Sequence, residues 1–295
     1  MTAPDERPML AIDSCSDLTP EIVERFDVEE LHFPFTLNGE ERLDDFGRSF
    51  PHRDFYQAMR GGAVPTTAQI PRVEYEALFR KAAESGRTLV YLAFSSGLSG
   101  TFDTAHLVRQ SVLAEFPEAD IRLVDTLNAS AAEGFLVYHA MQMHANGASA
   151  DEIVDFVERR KLLVNGYFTL ENLETLRRGG RISDAAAAAG TVLDIKPILT
   201  IDRAGKLVLK RSVRGRKKSM SALLDIMAER RDPSLGDTVA IAHADAPDEA
   251  AVLKAMVAER FGPSEIIELA VGPVIGSHVG PGMLAVVFWG AERER

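Results

Sequence analysis

The sequence predicts an α/β protein made of two α/β domains. Buried strands alternate with segments of helical spacing, and the chain of 295 residues exceeds the ~100–200 residues of a usual single domain. The alternation predicts a mostly parallel N-terminal sheet with helices on both faces, because parallel strands are joined by right-handed helical crossovers. A change of rhythm after Asn165 predicts a C-terminal domain with a smaller mixed sheet and helices. We therefore place the domains at residues 1–165 and 166–295.

Composition excludes several classes of function. The chain has 44 acidic and 33 basic residues and a formal net charge of -11, which argues against general binding to nucleic acid or anionic membranes. Cys15 is the only cysteine, so the sequence predicts no internal disulfide, no thiolate metal site and a reducing compartment. The N-terminus lacks the pattern of a signal peptide, and no run of about 18 apolar residues predicts a membrane span. The expected location is the cytoplasm.

Apolar runs bounded by turn residues predict the elements of the N-terminal half. Its strands are predicted at Pro8–Ile12, Leu31–Leu37, Leu89–Phe94 and Ile121–Asp125. Its helices are predicted to begin at Thr19, to surround Phe55 and Met59, to surround Val73 and Leu78, and to span Thr101–Glu115 and Glu133–Asn146. Asn38-Gly39 favours a tight hairpin, since both positions tolerate positive φ, and residues 40–45 are predicted as a looser acidic stretch. Ser149 and Glu152 have capping-box spacing and open one more helix.

The C-terminal half alternates less regularly. Its strands are predicted at Ile195–Ile201, Leu207–Leu209, Thr238–Ala242, Ile266–Leu269 and Leu284–Trp289, the first two as a hairpin. Its helices are predicted at Leu170–Arg178, Ala185–Ala189 and Asp248–Arg260. The glycine-rich segment 272–282 favours a tight connection, and Arg211–Lys218 is the one dense basic cluster of the sequence. Such a cluster usually marks a solvated helix start, and it also attracts phosphate or an acidic partner.

The turn after the strand Leu89–Phe94 is the candidate ligand site. Open α/β sheets bind ligands at the carboxyl ends of their strands. Gly97 and Gly100 allow the backbone to approach a ligand closely, and the amides that open the helix at Thr101 suit an anion. An ordinary β-to-α turn, whose hydroxyl side chains only cap the helix, explains the same residues. This stretch alone leaves both interpretations open.

A serine hydrolase is the alternative function. Ser95 or Ser96 would act as the nucleophile, with His278 as base and Asp125 as the acid that orients it. The glycine spacing departs from the Gly-x-Ser-x-Gly elbow of α/β-hydrolases, which argues against this interpretation. The chain has neither a P-loop nor a Gly-x-Gly-x-x-Gly segment after its first strand, so we predict no nucleotide site of its own.

Short motifs stand in a specific order between Ile12 and Phe288. They are Asp13-Ser14, Asp17-Leu18, Thr67 with Gln69, Ser95-Ser96, Leu98-Ser99-Gly100-Thr101, Asp125-Thr126, Leu173 with Leu176, Gly179-Gly180-Arg181-Ile182-Ser183, Lys196-Pro197-Ile198, Arg214 with Arg216-Lys217-Lys218, and Gly276 with His278 and Gly280-Pro281-Gly282. In the order and spacing of these motifs, the chain resembles the DegV family. Members of that family are bacterial fatty-acid-binding proteins that serve as the lipid-presenting subunit of fatty acid kinase.

The resemblance implies that one long-chain fatty acid lies in an apolar tunnel between the two domains, with its carboxyl group at the polar turns. Thr67 and Ser96 would donate hydrogen bonds to the carboxylate, and Ser95 and His278 would be further contacts. Buried methylene groups would supply most of the affinity, at ~0.8 kcal/mol each. The sequence leaves open which of the two serines faces the ligand, because a shift of one residue in the strand exchanges them.

The resemblance also implies a partner protein. A separate fatty acid kinase would bind ATP and metal and phosphorylate the presented acid to an acyl phosphate. This chain would then be a non-catalytic subunit in phospholipid metabolism, without cofactor or metal. Arg181, Arg214 and His278 would contact the kinase or steady the transferring phosphoryl group.

The sequence also bears on further partners and on one position of the site. The acidic composition and the lack of a long apolar run predict no nucleic acid partner and no membrane-spanning segment, and they leave transient membrane contact open. The sequence departs from the family at Ala68, where a serine is usual, so a hydroxyl beside the carboxylate is lost.

Overall fold

The computed structural model describes residues 7–183 and 194–294, so the helix predicted at Ala185–Ala189 lies outside the described residues. Up to residue 169 the strands are β1 (Met9–Asp13), β2 (Glu29–Leu31), β3 (Pro34–Leu37), β4 (Glu40–Leu43), β5 (Thr66–Thr67), β6 (Leu89–Ala93), β7 (Ile121–Asp125) and β8 (Val164–Thr169). The helices of the same stretch are α1 (Pro20–Val23), α2 (His52–Arg60), α3 (Arg72–Ser85), α4 (Thr101–Glu115), α5 (Ala131–Ala145) and α6 (Ala150–Arg160).

The remaining elements follow residue 169. The helices are α7 (Glu174–Arg178), α8 (Arg216–Arg230), α9 (Pro247–Phe261) and α10 (Pro273–Val279). The strands are β9 (Ile195–Ile201), β10 (Leu207–Arg214), β11 (Thr238–His243), β12 (Glu265–Ala270) and β13 (Leu284–Trp289). Short 3₁₀ turns cover Ser14–Ser16 and Pro233–Leu235.

The first sheet has four parallel strands in the order β2-β1-β6-β7. β1 and β6 are buried at every position, which requires cover on both faces because successive side chains of a strand point to opposite sides. Helices α3 and α4 pack together, α5 and α6 pack together, and each pair contacts the sheet. The predicted parallel sheet between helical layers is confirmed.

A small antiparallel sheet, β4-β3-β5, extends the N-terminal half. Asn38 and Gly39 have φ values of 53° and 83°, as the predicted tight hairpin requires. The prediction of a loose stretch over residues 40–45 is wrong, because this turn folds Glu40–Leu43 back onto β3. The polar side chains of β4 face solvent and gave no apolar pattern. On the other side of β3, β5 places Thr67 opposite Phe35.

The C-terminal half forms a six-stranded sheet in the order β10-β9-β8-β13-β11-β12. It is mixed, as predicted, since β11 and β12 pair in parallel and the other neighbours are antiparallel. The expectation of a smaller sheet is wrong, because six strands stand against four in the parallel sheet. The sequence pattern missed β8, whose Asn165 and Gly166 have low β propensity, although it pairs with strands on both sides. The expected domain boundary after Asn165 falls inside β8.

Two segments differ locally from their predictions. Helix α7 begins at Glu174 rather than Leu170, because the Asn172 side chain accepts a hydrogen bond from the Glu174 amide and turns the chain there. The segment 272–282, expected to be a tight connection, contains α10, with Gly272 as its N-cap and Pro273 at its first position.

The two halves share one apolar core. It runs from the parallel sheet to one face of the mixed sheet, where Phe168, Ala285 and Val287 contribute side chains. The alternate residues Val286 and Phe288 face a second core beneath α8 and α9. In the part of the chain that the structure describes, every helix is too short or too polar to traverse a lipid bilayer.

Candidate functional site

A cavity of about 300 Å³ lies between the parallel sheet and the mixed sheet. Segments that follow the carboxyl ends of β1, β2, β6 and β7 line it together with residues of β8, β9 and β13. Its apolar lining includes Phe33, Phe94, Phe168, Ile201, Val279 and Val287. The predicted tunnel between the two halves is therefore present, at the strand ends where open α/β sheets bind ligands. Its walls suit a hydrocarbon chain.

Polar groups gather at one opening of this cavity. We call them the polar mouth, which consists of Thr67, Gln69, Ser99, Gly100, Arg181 and His278. Thr67 Oγ1 lies 2.9 Å from His278 Nε2, and the Gln69 side chain lies over Gly100. The Arg181 guanidinium donates to the Leu98 carbonyl at 3.3 Å. Because Gln69, Gly100 and Arg181 are exposed, the polar mouth opens to solvent.

The hydroxyl group of Ser99 belongs to the turn that starts α4. Ser99 Oγ accepts a hydrogen bond from the Thr101 amide at 3.2 Å. A hydroxyl that accepts in this way keeps its own proton for another acceptor. The turn therefore offers the Ser99 hydroxyl as a hydrogen-bond donor to an anion.

His278 is neutral at pH 7. It lies in the last turn of α10, and burial lowers the pKa of its imidazole to about 4, with a further contribution from the Arg181 guanidinium. Its Nε2 is paired with Thr67, whereas its buried Nδ1 has no hydrogen-bond partner among residues 7–183 and 194–294.

Two buried carboxyl groups from the N-terminal half hold the helix that carries His278. Asp17 accepts from the Gly272 amide at 2.9 Å, and Asp44 accepts from the Val274 amide at 3.2 Å. Both cap the N-terminus of α10, where the helix dipole favours negative charge. Burial nevertheless raises the pKa of Asp44 to about 7 and raises that of Asp17 well above its ordinary value. The cap joins the two halves behind the polar mouth.

The structure does not bring Ser95 and Ser96 to the cavity. Phe94 lines the cavity, but the next side chain, Ser95, is fully buried and donates to the Gly205 carbonyl at 2.9 Å. Ser96 is exposed, and its amide donates to Asp125 at 3.2 Å. Neither serine is hydrogen bonded to His278. Ser99, three residues further along the same turn, lines the cavity instead.

The two arginines predicted to meet a partner lie in different places. Arg181 belongs to the polar mouth. Arg214 is the last residue of β10, is exposed, and does not line the cavity. Its neighbour in the basic cluster, Arg216, is mostly buried and pairs with Glu249 at 2.8 Å. The basic cluster is thus divided between a structural ion pair and an exposed part.

Some residues of the site escaped prediction from the sequence. Gln69, Ser99 and Gly100 stand inside recognised motifs, but the motifs do not tell which side chain faces the cavity. Cys15 lines the cavity and Asp44 caps α10, and neither carried a local signal for these positions. Within the described residues, no three His, Cys, Asp or Glu side chains are arranged to hold a metal ion.

Comparison with known proteins agrees with this architecture. A family model described as an uncharacterised protein of the DegV family matches residues 9–290. A DegV domain-containing protein of Clostridium perfringens is 38% identical over 282 residues, which cover 96% of this chain and 97% of the relative.

Two solved structures share the fold over nearly their full lengths. A DegV family protein of Thermus thermophilus, described in terms of fatty acid binding, has 29% identity and a TM-score of 0.84, covering 97% of this chain and 100% of that one. DegV of Bacillus subtilis, described as a fatty acid binding protein, has 27% identity and a TM-score of 0.82, with coverage of 97% and 100%. This chain therefore belongs to the DegV family.

Proposed function

We propose that this protein binds one long-chain fatty acid in the cavity, with the carboxylate at the polar mouth. The observation that carries the proposal is an apolar cavity that ends at the Thr67–His278 pair and the Ser99 hydroxyl. An apolar body with one polar end matches an amphipathic acid. The solved relatives from Thermus thermophilus and Bacillus subtilis, both described as binding fatty acids, support the same ligand.

The two ends of the cavity would contribute differently to binding. Each methylene group buried among residues such as Phe33 and Val287 stabilises the complex by ~0.8 kcal/mol, so the acyl chain supplies most of the affinity. The carboxylate accepts from Thr67 and Ser99, and such charge-assisted hydrogen bonds fix its orientation. Ala68 has no hydroxyl group, so Thr67 and Ser99 are the side chains that bind the head group.

We further propose that the bound acid is presented to a separate fatty acid kinase in the cytoplasm, which supplies ATP and metal. The polar mouth is open to solvent, so a carboxylate held there is within reach of a partner. A carboxylate is a weak nucleophile toward phosphate, and the reaction depends on positioning and on neutralising charge. Arg181 at the mouth would steady the phosphoryl group, and exposed Arg214 would contact the kinase.

No observation favours the alternative of a serine acyl-ester hydrolase. Asp125 accepts from the amides of Ser96 and Leu127, and Nε2 of His278 is paired with Thr67. A nucleophile, a base and an orienting acid are therefore not assembled among these residues.

Mass spectrometry of the purified protein tests the binding proposal. We expect a native mass increased by one fatty acid, which organic extraction after denaturation recovers intact. Ala285→Phe, which fills the cavity wall, is expected to lose this mass, whereas Val252→Phe on the exposed surface keeps it. Circular dichroism confirms that both variants fold. An unloaded wild-type protein that takes up no member of a fatty acid panel would contradict the proposal.

A reconstituted phosphorylation assay tests the presentation proposal. With a fatty acid kinase catalytic subunit, ATP and Mg²⁺, we expect acyl phosphate that hydroxylamine traps as the hydroxamate. Arg214→Ala is expected to lower the rate while leaving fatty acid affinity unchanged, because Arg214 does not line the cavity. An unchanged rate would remove Arg214 from the kinase contact.

A further inference from the structure

The imidazole of His278 lies directly against Gly179, one residue beyond α7. A Cβ atom at position 179 would stand 2.3 Å from His278 Nδ1 and 3.1 Å from Cε1, so any larger residue would displace the ring. The backbone itself does not require glycine there, because Gly179 has the right-handed values φ -73° and ψ -6°. Glycine is therefore required at position 179 by its contact with the His278 ring and not by the backbone conformation.

This contact determines which ring nitrogen can carry the proton. Nδ1 is buried without a hydrogen-bond partner in the described part of the chain, and the amide of Gly179 is already donated to the Thr175 carbonyl at 3.0 Å. The hydrogen of Gly179 that occupies the Cβ position points at Nδ1. An unprotonated Nδ1 accepts this weak C–H contact with its lone pair. A proton on Nδ1 would clash with the Gly179 hydrogen and would also be a buried donor without an acceptor.

We infer that Gly179 is a positioning residue that acts through His278. By keeping Nδ1 free of a proton, it fixes the Nε2–H tautomer, in which His278 donates to Thr67 and leaves the Thr67 hydroxyl free to donate to an anionic head group. The inference deepens the proposed function and rests on it for the identity of the anion.

The direction of the hydrogen bond matters because a threonine hydroxyl has one proton. If Nε2 accepted that proton, Thr67 would turn lone pairs toward the ligand carboxylate and repel it. With Nε2 as donor, Thr67 accepts from His278 and donates into the cavity. Burial and the Arg181 guanidinium lower the pKa of His278 to about 4, so the ring is neutral at pH 7. The tautomer of the neutral ring therefore sets the direction of the hydrogen bond with Thr67. Ser99 is arranged alike, since it accepts from the Thr101 amide.

Nuclear magnetic resonance of the delipidated protein tests the tautomer without any ligand. Long-range ¹H–¹⁵N spectra of protein labelled at histidine, with His278 assigned from the His278→Ala variant, are expected to show a protonated Nε2 and an unprotonated Nδ1 from pH 6 to 8. A proton on Nδ1, or a charged ring at pH 7, would overturn the inference. In Gly179→Ala we expect the His278 signals to move and the single-tautomer pattern to be lost.

A binding cycle with oleate tests whether Gly179 acts through His278. Gly179→Ala is expected to weaken oleate binding about tenfold, the loss of one hydrogen bond to a charged group. Gly61→Ala is the matched control, since Gly61 also follows a helix with right-handed φ and ψ and would meet only its own helix. In the His278→Ala background the ring is gone, so adding Gly179→Ala should cost no further affinity.

The outcomes separate the two proposals. Equal losses from Gly179→Ala with and without the His278 ring would show that Gly179 acts by another route, and the inference fails. If wild-type protein binds neither oleate nor other fatty acids, the proposed function fails, while the spectra of the ligand-free protein still decide the tautomer.

Discussion

Two groups of polar side chains lie in the largely apolar region between the sheets, and they differ in what satisfies them. The first consists of Asp13, Asp17 and Asp44, which we call the carboxyl cluster. Both oxygens of Asp13 are hydrogen bonded, to Tyr91 and to two backbone amides, and Asp17 is bonded through both oxygens to Gly272 and Ser130. The second group is the polar mouth, where Ser99 accepts one hydrogen bond from the Thr101 amide and Thr67 is paired with His278 Nε2, which donates to it in the tautomer inferred above.

This difference indicates that the carboxyl cluster stabilises the fold and that the polar mouth binds the ligand. Buried polar groups in proteins are nearly always hydrogen bonded, and the protein's own donors meet this need fully at Asp13 and Asp17. Asp44 is satisfied at one oxygen only, since Oδ2 accepts from the Val274 amide and Oδ1 is buried without a partner among the described residues. At the polar mouth, the Ser99 hydroxyl keeps its proton beside an open cavity, where the head group of a ligand can accept it. We therefore expect changes in the carboxyl cluster to act mainly on stability, and changes in the polar mouth to act mainly on affinity.

Asp17→Ala should have the largest effect on stability. It removes the acceptor for the Gly272 amide and for the Ser130 hydroxyl, both buried, and releases the start of α10. Leaving such groups unpaired should lower the free energy of unfolding by about 3 kcal/mol, measured by urea denaturation. Asp155→Ala, which breaks an exposed ion pair with Arg159, is the control and should change it by less than about 0.5 kcal/mol. Equal effects of the two variants would break the comparison.

The stability of the carboxyl cluster should also depend on pH, through Asp44. Burial raises its pKa from 3.8 to about 7, so the folded protein binds this proton more tightly than the unfolded chain does. Asp44 therefore favours folding at low pH, and its contribution is lost as pH rises through about 7. Relative to Asp44→Asn, the free energy of unfolding of the wild type should fall by roughly 2 kcal/mol between pH 5.5 and 8.

The Asp44→Asn variant is needed as a reference because buried histidines change the free energy of unfolding with pH in the direction opposite to Asp44. Burial lowers the pKa of His52 and His278 from 6.5 to about 4, so the folded state prefers them neutral and gains stability as pH rises from about 4 to 6.5. Both proteins share this change, and it cancels in the difference. Parallel pH profiles of the two proteins would show that Asp44 does not titrate in this range.

Thr67→Val tests the other side of the comparison. Valine keeps the shape and the strand preference of threonine and removes the hydroxyl, so oleate affinity should fall about tenfold. His278 Nε2 loses its partner in this variant, so the free energy of unfolding should fall by about 1 kcal/mol, less than in Asp17→Ala. Thr66→Val is the matched control, since Thr66 is the neighbouring residue of β5 and its side chain is exposed. Isothermal titration calorimetry of the delipidated proteins gives the affinities. A drop of equal size in both variants would show that β5 matters for strand pairing rather than for its hydroxyl.

Much of the fold follows from local sequence, and the exceptions have a common cause. The bounds of α4, β7 and β13 agree residue for residue with their predictions, because apolar runs and turn residues mark both ends. β8 was missed because its polar and glycine residues resemble a loop, and its place depends on β13 and β9, which are distant in sequence. Pairing with distant strands overrides local propensity there.

The site was less predictable than the fold. The strand-end position of the cavity and the pairing of Thr67 with His278 agree with the regions selected from the sequence. The side chain that faces the cavity in the turn 95–101 depends on the path of the chain after β6, which no periodic pattern defines. Asp44 contacts Val274, 230 residues away, and no local signal marks that contact.

Ser96→Ala should have the smallest effect on oleate affinity. Together with Ser99→Ala it tests which serine of this turn contacts the carboxylate, Ser96 as predicted from the sequence or Ser99 as the structure indicates. Ser96 is exposed and lies outside the cavity lining, so its loss should change oleate affinity less than about twofold. Ser99 lines the cavity with a free hydroxyl proton, so Ser99→Ala should weaken binding by about fivefold or more. The reverse order would return the carboxylate contact to the serine selected from the sequence. It would also mean that the turn rearranges when the ligand enters.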